Sequence, residues 1–158
     1  GQDRDFRRLV HNLLAFTARH EALRNGHARR IGLAGIDYTI LISVAHLSRN
    51  GPVNVKDISD HLHVSIGFVT NSTRKLQELG LIEKSRDPSD GRKTVLTVTD
   101  KGLGRLEALA PHQRRCNDAE FGSLTRDQFV QLCRIVEDMV ATSDEAIALQ
   151  NSLEDESR

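Results

Sequence analysis

The chain has 158 residues, with 22 Lys and Arg set against 22 Asp and Glu, 38% hydrophobic residues and only 4% aromatics. A chain of that length can bury roughly 70% of its unfolded surface without covalent staples. Its two cysteines, Cys116 and Cys133, are too few for a disulfide scaffold or a Cys-based zinc site. No apolar run approaches the ~20 residues of a membrane span. The charged stretch from Asp3 to Arg8 is unlike a signal peptide. A cytoplasmic protein with no membrane partner is therefore expected.

The zero net charge hides a polarised distribution. Residues 1–30 carry seven basic and three acidic groups, residues 65–105 eight and five, and residues 106–158 five and eleven. Screening confines charge effects to about 8–10 Å, so local basic surfaces matter more than the total.

In chain order, Phe6, Leu9, Val10, Leu13, Leu14, Phe16 and Leu23 recur at three- and four-residue spacing and predict an amphipathic helix over 4–24, ended by Asn25-Gly26. A second helix is expected over 36–49, stopped by Asn50-Gly51-Pro52. Asn54 is placed to cap a short helix over 55–61, and Ser65, after a three-residue break, to cap another over 66–79 that Gly80 closes. The period then changes. Residues 81–86 and 94–99 are β-prone, with Leu96 and Val98 on one face, and the turn chemistry of Asp87-Pro88-Ser89-Asp90-Gly91 joins them. Thr99 caps a further helix, which Pro111 must kink or end. Thr125-x-x-Gln128 is a capping box for a last helix with Phe129, Leu132, Cys133, Val136, Met139, Val140 and Ile147 as its stripe. The acidic segment 151–158 is expected to be disordered.

The fold class this predicts is mainly α with a small β-hairpin. Helix, short helix, tight turn, helix and hairpin is the layout of a winged helix-turn-helix. If Val69 marks the buried direction of the helix over 66–79, Ile66, Thr73 and Leu76 point the same way. Gly67, Asn71, Arg74 and Glu78 then point outward, with Thr70 and Lys75 on the flanks. Small polar groups at one end and cations farther along suit a helix that enters a major groove about 12 Å wide. An ordinary solvated helix has the same periodicity, and the hairpin tips the balance. Arg92 and Lys93 at its tip and Arg86 at its base can reach phosphates or the adjacent minor groove, and Asp90 can pre-orient Arg92. Phe68, near the outward face, suits a thymine methyl or a protein partner equally well.

Thr70, Lys75-Leu76, Gly80-Leu81-Ile82, Arg86 and the run from Asp90-Gly91-Arg92 through Thr99-Asp100-Lys101-Gly102 resemble the MarR (multiple antibiotic resistance regulator) family of winged-helix transcription factors. That run is similar to the family's Asp-x-Arg wing signature and its (Leu/Val)-Thr-x-x-Gly helix start. The resemblance implies a DNA lobe over 33–102 between dimerisation segments 1–32 and 103–150. It also implies a homodimer on a near-palindromic double-stranded operator, read through Ser65, Gly67, Phe68, Thr70, Asn71, Arg74 and Lys75 and the wing residues Arg86, Asp90, Arg92 and Lys93. Many members carry a basic residue where this chain has Asn71, which makes adenine readout by the amide an expectation.

The long apolar stripes exceed what a small wing domain covers, which agrees with a dimer. The resemblance further implies a pocket for a phenolic or aromatic acid, for which His11, Phe16, Arg19, His20, Tyr38 and His46 are candidates. Residue by residue, the plainer reading puts Phe16 in the core, His46 in the interior or at its boundary, and Arg19 on the surface. Oxidant sensing is a rival trigger. The first helix has no thiol, Cys133 reads as inert packing, and Cys116 follows Arg114-Arg115. A winged-helix module that binds protein instead of DNA is a further alternative. His61 and His63, near Asp57 and Asp60, make a weak metal motif, so no metal and no cofactor are expected. There is no nucleophile elbow, phosphate-cradling loop or His-Glu-x-x-His, so an enzyme is not expected.

Overall fold

The computed structural model describes residues 2–87, 90, 91 and 93–156. They fall into two compact units, Gly1–Gln113 and Arg114–Arg158. In chain order the elements are α1 (Gln2–Arg30), α2 (Gly35–Leu47), α3 (Val55–Leu62), α4 (Ile66–Glu78), β1 (Ile82–Arg86), β2 (Thr94–Val98), α5 (Asp100–Glu120) and α6 (Arg126–Glu156).

The first helix does not stop at Asn25-Gly26. A helical glycine costs only about 1 kcal/mol, and the last two turns dock on α2. A Cβ added at Gly35 would lie 1.7 Å from Asn25 Oδ1, so the Asn25 side chain occupies the place a larger residue would need. The true stop is Gly32, at φ +71°. There the Leu33 amide donates to the Ala28 carbonyl at 2.9 Å and the Gly32 amide to the Arg29 carbonyl at 3.1 Å, the Schellman closure of a helix.

The core of the first unit is centred on α2, α3, α4 and the hairpin, with Ala28 of α1 and Leu109 of α5 joining it. Ile40, Leu41, Val44, Ile58, Val69, Leu76, Leu81 and Leu96 are all buried in it. Asn54 caps α3 as expected, its Oδ1 accepting from the Lys56 and Asp57 amides while Asp57 accepts from the Asn54 amide. The turn between α3 and α4 passes through His63 in the left-handed region, at φ 51°. Two bonds hold it: the Val64 amide donates to the Ser59 carbonyl at 3.2 Å, and the Ser59 hydroxyl donates to the Val64 carbonyl at 2.6 Å.

Strands β1 and β2 pair antiparallel from Ile82 with Val98 to Arg86 with Thr94. A further bridge, not foreseen, links Val53 to Leu96, whose amide donates to the Val53 carbonyl at 2.7 Å. It ties the wing to the loop before α3. Helix α4 ends at Gly80 (φ +69°) in a second Schellman closure, with Leu81 donating to Leu76 and Gly80 to Gln77. The carbonyls beyond the helix are met from the start of α5. Lys101 Nζ donates to Leu79, the Thr99 hydroxyl to Gly80 and the Thr99 amide to Leu81, at 2.7, 2.7 and 3.0 Å. Thr99 Oγ1 also accepts the Gly102 amide at 3.1 Å, so one side chain caps α5 and closes α4.

Pro111 does not end α5, which continues to Glu120. The ring removes one helical hydrogen bond. Docking of the preceding turns offsets that loss: Leu109 is buried and Arg105 donates to the Ile31 carbonyl. In the second unit the expected capping box opens α6, with Thr125 and Gln128 bonded reciprocally. That helix runs through Glu156, so 151–156 are helical rather than disordered. Among the described residues no single helix is long and apolar enough to cross a membrane.

Candidate nucleic-acid interface

Helix α4 is anchored by Val69, Ser72, Thr73 and Leu76, all buried. Ile66, expected on that inner face, is instead 54% exposed. It sits in the first turn, ahead of the point where the helix meets the core. Ser65 caps the helix, its hydroxyl accepting from the Phe68 amide at 3.3 Å. Gly67, Phe68, Asn71, Arg74 and Lys75 are exposed and Thr70 is half-buried. Nothing lies within 4 Å of a Cβ built on Gly67, so the fold itself does not require glycine there. The Thr70 hydroxyl donates to the Ile66 carbonyl at 2.8 Å, and Arg74 Nη2 donates to Asn71 Oδ1 at 2.8 Å.

On the wing, Arg86 and Lys93 are exposed and Asp90 is half-buried. The tip is tied by its own backbone: Asp87 donates to the Lys93 carbonyl, Lys93 to the Asp90 carbonyl, and the Asp90 amide to Asp87 Oδ1. Lys93 Nζ lies 3.9 Å from the Asp90 carboxylate, a loose, solvated pair. Arg92, expected at the wing tip beside Lys93, lies outside the described residues together with Pro88 and Ser89.

The six candidate pocket residues do not converge in the chain. His11, Phe16 and Arg19 are exposed on α1, with the Arg19 guanidinium donating to the Ala15 carbonyl and Phe16 stacked on His20 at 5.9 Å. Phe16 is 42% exposed rather than core, and His46, expected inside or at the boundary, is exposed near the end of α2. Only Tyr38 is buried, and its neighbours are residues the apolar-stripe reading passed over. The His27 ring meets Tyr38 edge-on at 6.3 Å and His112 at 5.7 Å. Burial pushes the Tyr38 phenol above its usual 10.0, and the nearby Arg24 guanidinium pulls partly the other way. Arg24 Nε is buried without a hydrogen-bond partner. At 1.5 Å per residue, His11 lies about 24 Å along the helix axis from His27. The signal for this cluster was present in His27, Ala28 and Ile31, which share a face by spacing, but two of the three are small or polar.

The weak metal motif is already committed elsewhere: Asp57 belongs to the α3 capping box and Asp60 pairs with Lys56. Cys133, read as packed, is exposed, and Cys116 is half-buried. The apolar stripe of α1 (Phe6, Leu9, Leu13, Leu14) is exposed, as is that of α6 (Phe129, Val136, Met139, Val140, Ile147).

A family model described as MarR family matches residues 43–94, which hold α3, α4, β1 and the first residue of β2. The chain is 30% identical over 91 residues to the HTH-type transcriptional repressor IacR of Pseudomonas putida, covering 58% of this chain and 54% of that one. It is 24% identical over 128 residues to the HTH-type transcriptional repressor NicR, also of Pseudomonas putida, covering 81% and 79%. Among solved structures, Bordetella bronchiseptica BpsR, described with a mechanism for regulation of its DNA binding by 6-hydroxynicotinic acid, superposes with a TM-score of 0.66 at 22% identity, covering 82% of this chain and 91% of that one. The chain thus spans little more than half the length of one relative and about four-fifths of the other.

Proposed function

We propose that the chain is a regulator of the MarR family of winged-helix transcription factors, a cytoplasmic, homodimeric repressor released from a near-palindromic operator by a small aromatic acid. The observation that carries the DNA-binding part is α4 itself. Its inner face is locked by Val69, Thr73 and Leu76, so the exposed edge with Gly67, Asn71, Arg74 and Lys75 is held rigidly. Rigid placement of hydrogen-bonding groups is what base readout in the major groove requires. Arg86, Lys93 and the sequence neighbour Arg92 supply phosphate contacts that fix register without reading sequence.

The exposed stripes of α1 and α6 support the dimer. Large apolar side chains at helical spacing stay in water only at a cost of about 25 cal/mol per Å², and a second copy removes it. Two-fold pairing then places two copies of α4 about one helical turn apart on the duplex.

The effector reading rests on Tyr38, His27, His112 and Arg24. A guanidinium with a buried, unpartnered Nε suits a carboxylate, and the surrounding rings suit an aromatic plane. A ligand there acts only as far as it favours a dimer whose recognition helices are misplaced for DNA. The test is selection from random duplexes, followed by titration with hydroxylated aromatic acids and a salt series. Affinity should fall linearly on a log–log salt plot, by about 0.9 per phosphate contact, and an acid should release the duplex. A salt-independent isotherm would contradict the DNA reading. Failure of every acid to shift either melting or binding would contradict the effector reading alone.

A further inference from the structure

Asn71 and Arg74 lie three residues apart on the exposed edge of α4, and Arg74 Nη2 donates to Asn71 Oδ1 at 2.8 Å. That bond fits one orientation of the carboxamide. Turned the other way, the Asn71 amide nitrogen would face the guanidinium, donor against donor. With Oδ1 accepting from Arg74, the Nδ2 protons and the remaining guanidinium protons stay available as donors on the exposed edge.

The neighbouring polar group reinforces this. The Thr70 hydroxyl proton is committed to the Ile66 carbonyl at 2.8 Å, so it adds no donor of its own. An asparagine that reads adenine must accept from N6 and donate to N7 with the same amide. Here that oxygen already accepts one bond from Arg74, so one of its two lone pairs serves to hold the guanidinium in place. What Asn71 and Arg74 present together is a tethered row of donors. In the major groove only guanine offers two adjacent acceptors, O6 and N7, with no donor between them; adenine sets its N6 donor beside N7, and cytosine shows a donor.

We propose that Asn71 acts through Arg74 as a specificity-determining positioning residue, making the pair a reader of guanine rather than of adenine at one base pair of each half-site. This rests on the DNA-binding reading above.

The experiment is selection of bound duplexes from a random library by the full chain and by Asn71→Ala, Asn71→Asp and Arg74→Ala, with affinities then measured for the selected duplex and its single-base variants. All three changes are on an exposed face, and circular dichroism checks that the fold is kept. The wild type should prefer guanine at one position by roughly 5- to 150-fold, the range of a good bidentate contact. Arg74→Ala should abolish that preference. Asn71→Ala, which removes the tether, should weaken it severalfold. Asn71→Asp, which keeps an acceptor for the guanidinium, should retain most of it. Two outcomes overturn the proposal while leaving DNA binding intact: adenine at the position that depends on Asn71, or Asn71→Ala and Asn71→Asp acting alike. If no duplex is bound by any form, the proposal falls together with the DNA-binding reading.

Discussion

Replacing Gly102 by Ala tests the joint between α4 and the wing. A Cβ there would sit 2.3 Å from the Leu81 carbonyl oxygen and 2.7 Å from Val98 Cγ1, against a floor of 3.0 Å for real contacts. Relief requires a shift of about 0.7 Å by a backbone oxygen that already accepts the Thr99 amide at 3.0 Å. Leu81 is also the donor that closes α4 on Leu76, so the shift passes directly into the C-terminal end of that helix. Overpacking of this kind costs about 1–3 kcal/mol. For a chain of this size each kcal/mol lowers Tm by roughly 2–4 °C, so a fall of about 2–12 °C is expected by calorimetry. Gly104→Ala is the control. Two residues on in the same helix, its Cβ would meet nothing within 4 Å, and the gain in helix propensity should stabilise by up to about 1 kcal/mol. Equal melting temperatures for the two variants would refute the packing argument.

The other predictions concern single groups. Gly67→Ala should leave stability unchanged or raise it by up to about 1 kcal/mol, because its Cβ meets open space, yet weaken duplex binding if DNA approaches the backbone there. Stronger binding by this variant would count against a groove-facing first turn. Tyr38 is the single tyrosine in a chain without Trp, so ultraviolet absorbance of the phenolate reports it alone. The native midpoint should lie above 10.0, and Arg24→Ala should raise it further, because Arg24 pulls it down. By linkage, the stability of the neutral phenol is fully present below pH 10.0 and is lost as pH rises through the folded pKa. Tyr38→Phe should lack that alkaline loss, and an identical alkaline melting profile would refute it. Asn54→Ala removes both the acceptor for two amides and half of a capping box, and should cost about 1 kcal/mol in denaturant unfolding; no change would refute the role of the cap.

Much of the winged helix-turn-helix was legible because its signals are local. Asn54, Ser65 and Thr125 are caps whose side chains reach amides two or three residues on, so their meaning does not depend on the rest of the fold. Gly80 announces its own left-handed turn. The misreadings came where tertiary contacts outvote local preference. Asn25-Gly26 looks like a stop, but Asn25 is held over Gly35 and the helix continues to Gly32. Pro111 looks like a break, but Leu109 and Arg105 hold the turns before it. The left-handed residue of the helix-turn-helix is His63, which no turn rule singles out. The cluster around Tyr38 draws Arg24 and His27 from α1 and His112 from α5, positions far apart in sequence and polar in type, so hydrophobic periodicity does not mark them. Nor does the sequence show that Arg74 occupies the Asn71 oxygen, a side-chain choice made only once the helix has formed.

The central claim is that two copies of α4, carried on a paired scaffold, read one face of a duplex. Hydroxyl-radical footprinting of the full chain on its selected operator tests it most directly. Two symmetric protected patches centred about one helical turn apart, both weakened in Arg74→Ala and weakened together by added salt, are the predicted result. A single patch per bound protein, or protection that survives Arg74→Ala unchanged, would contradict it.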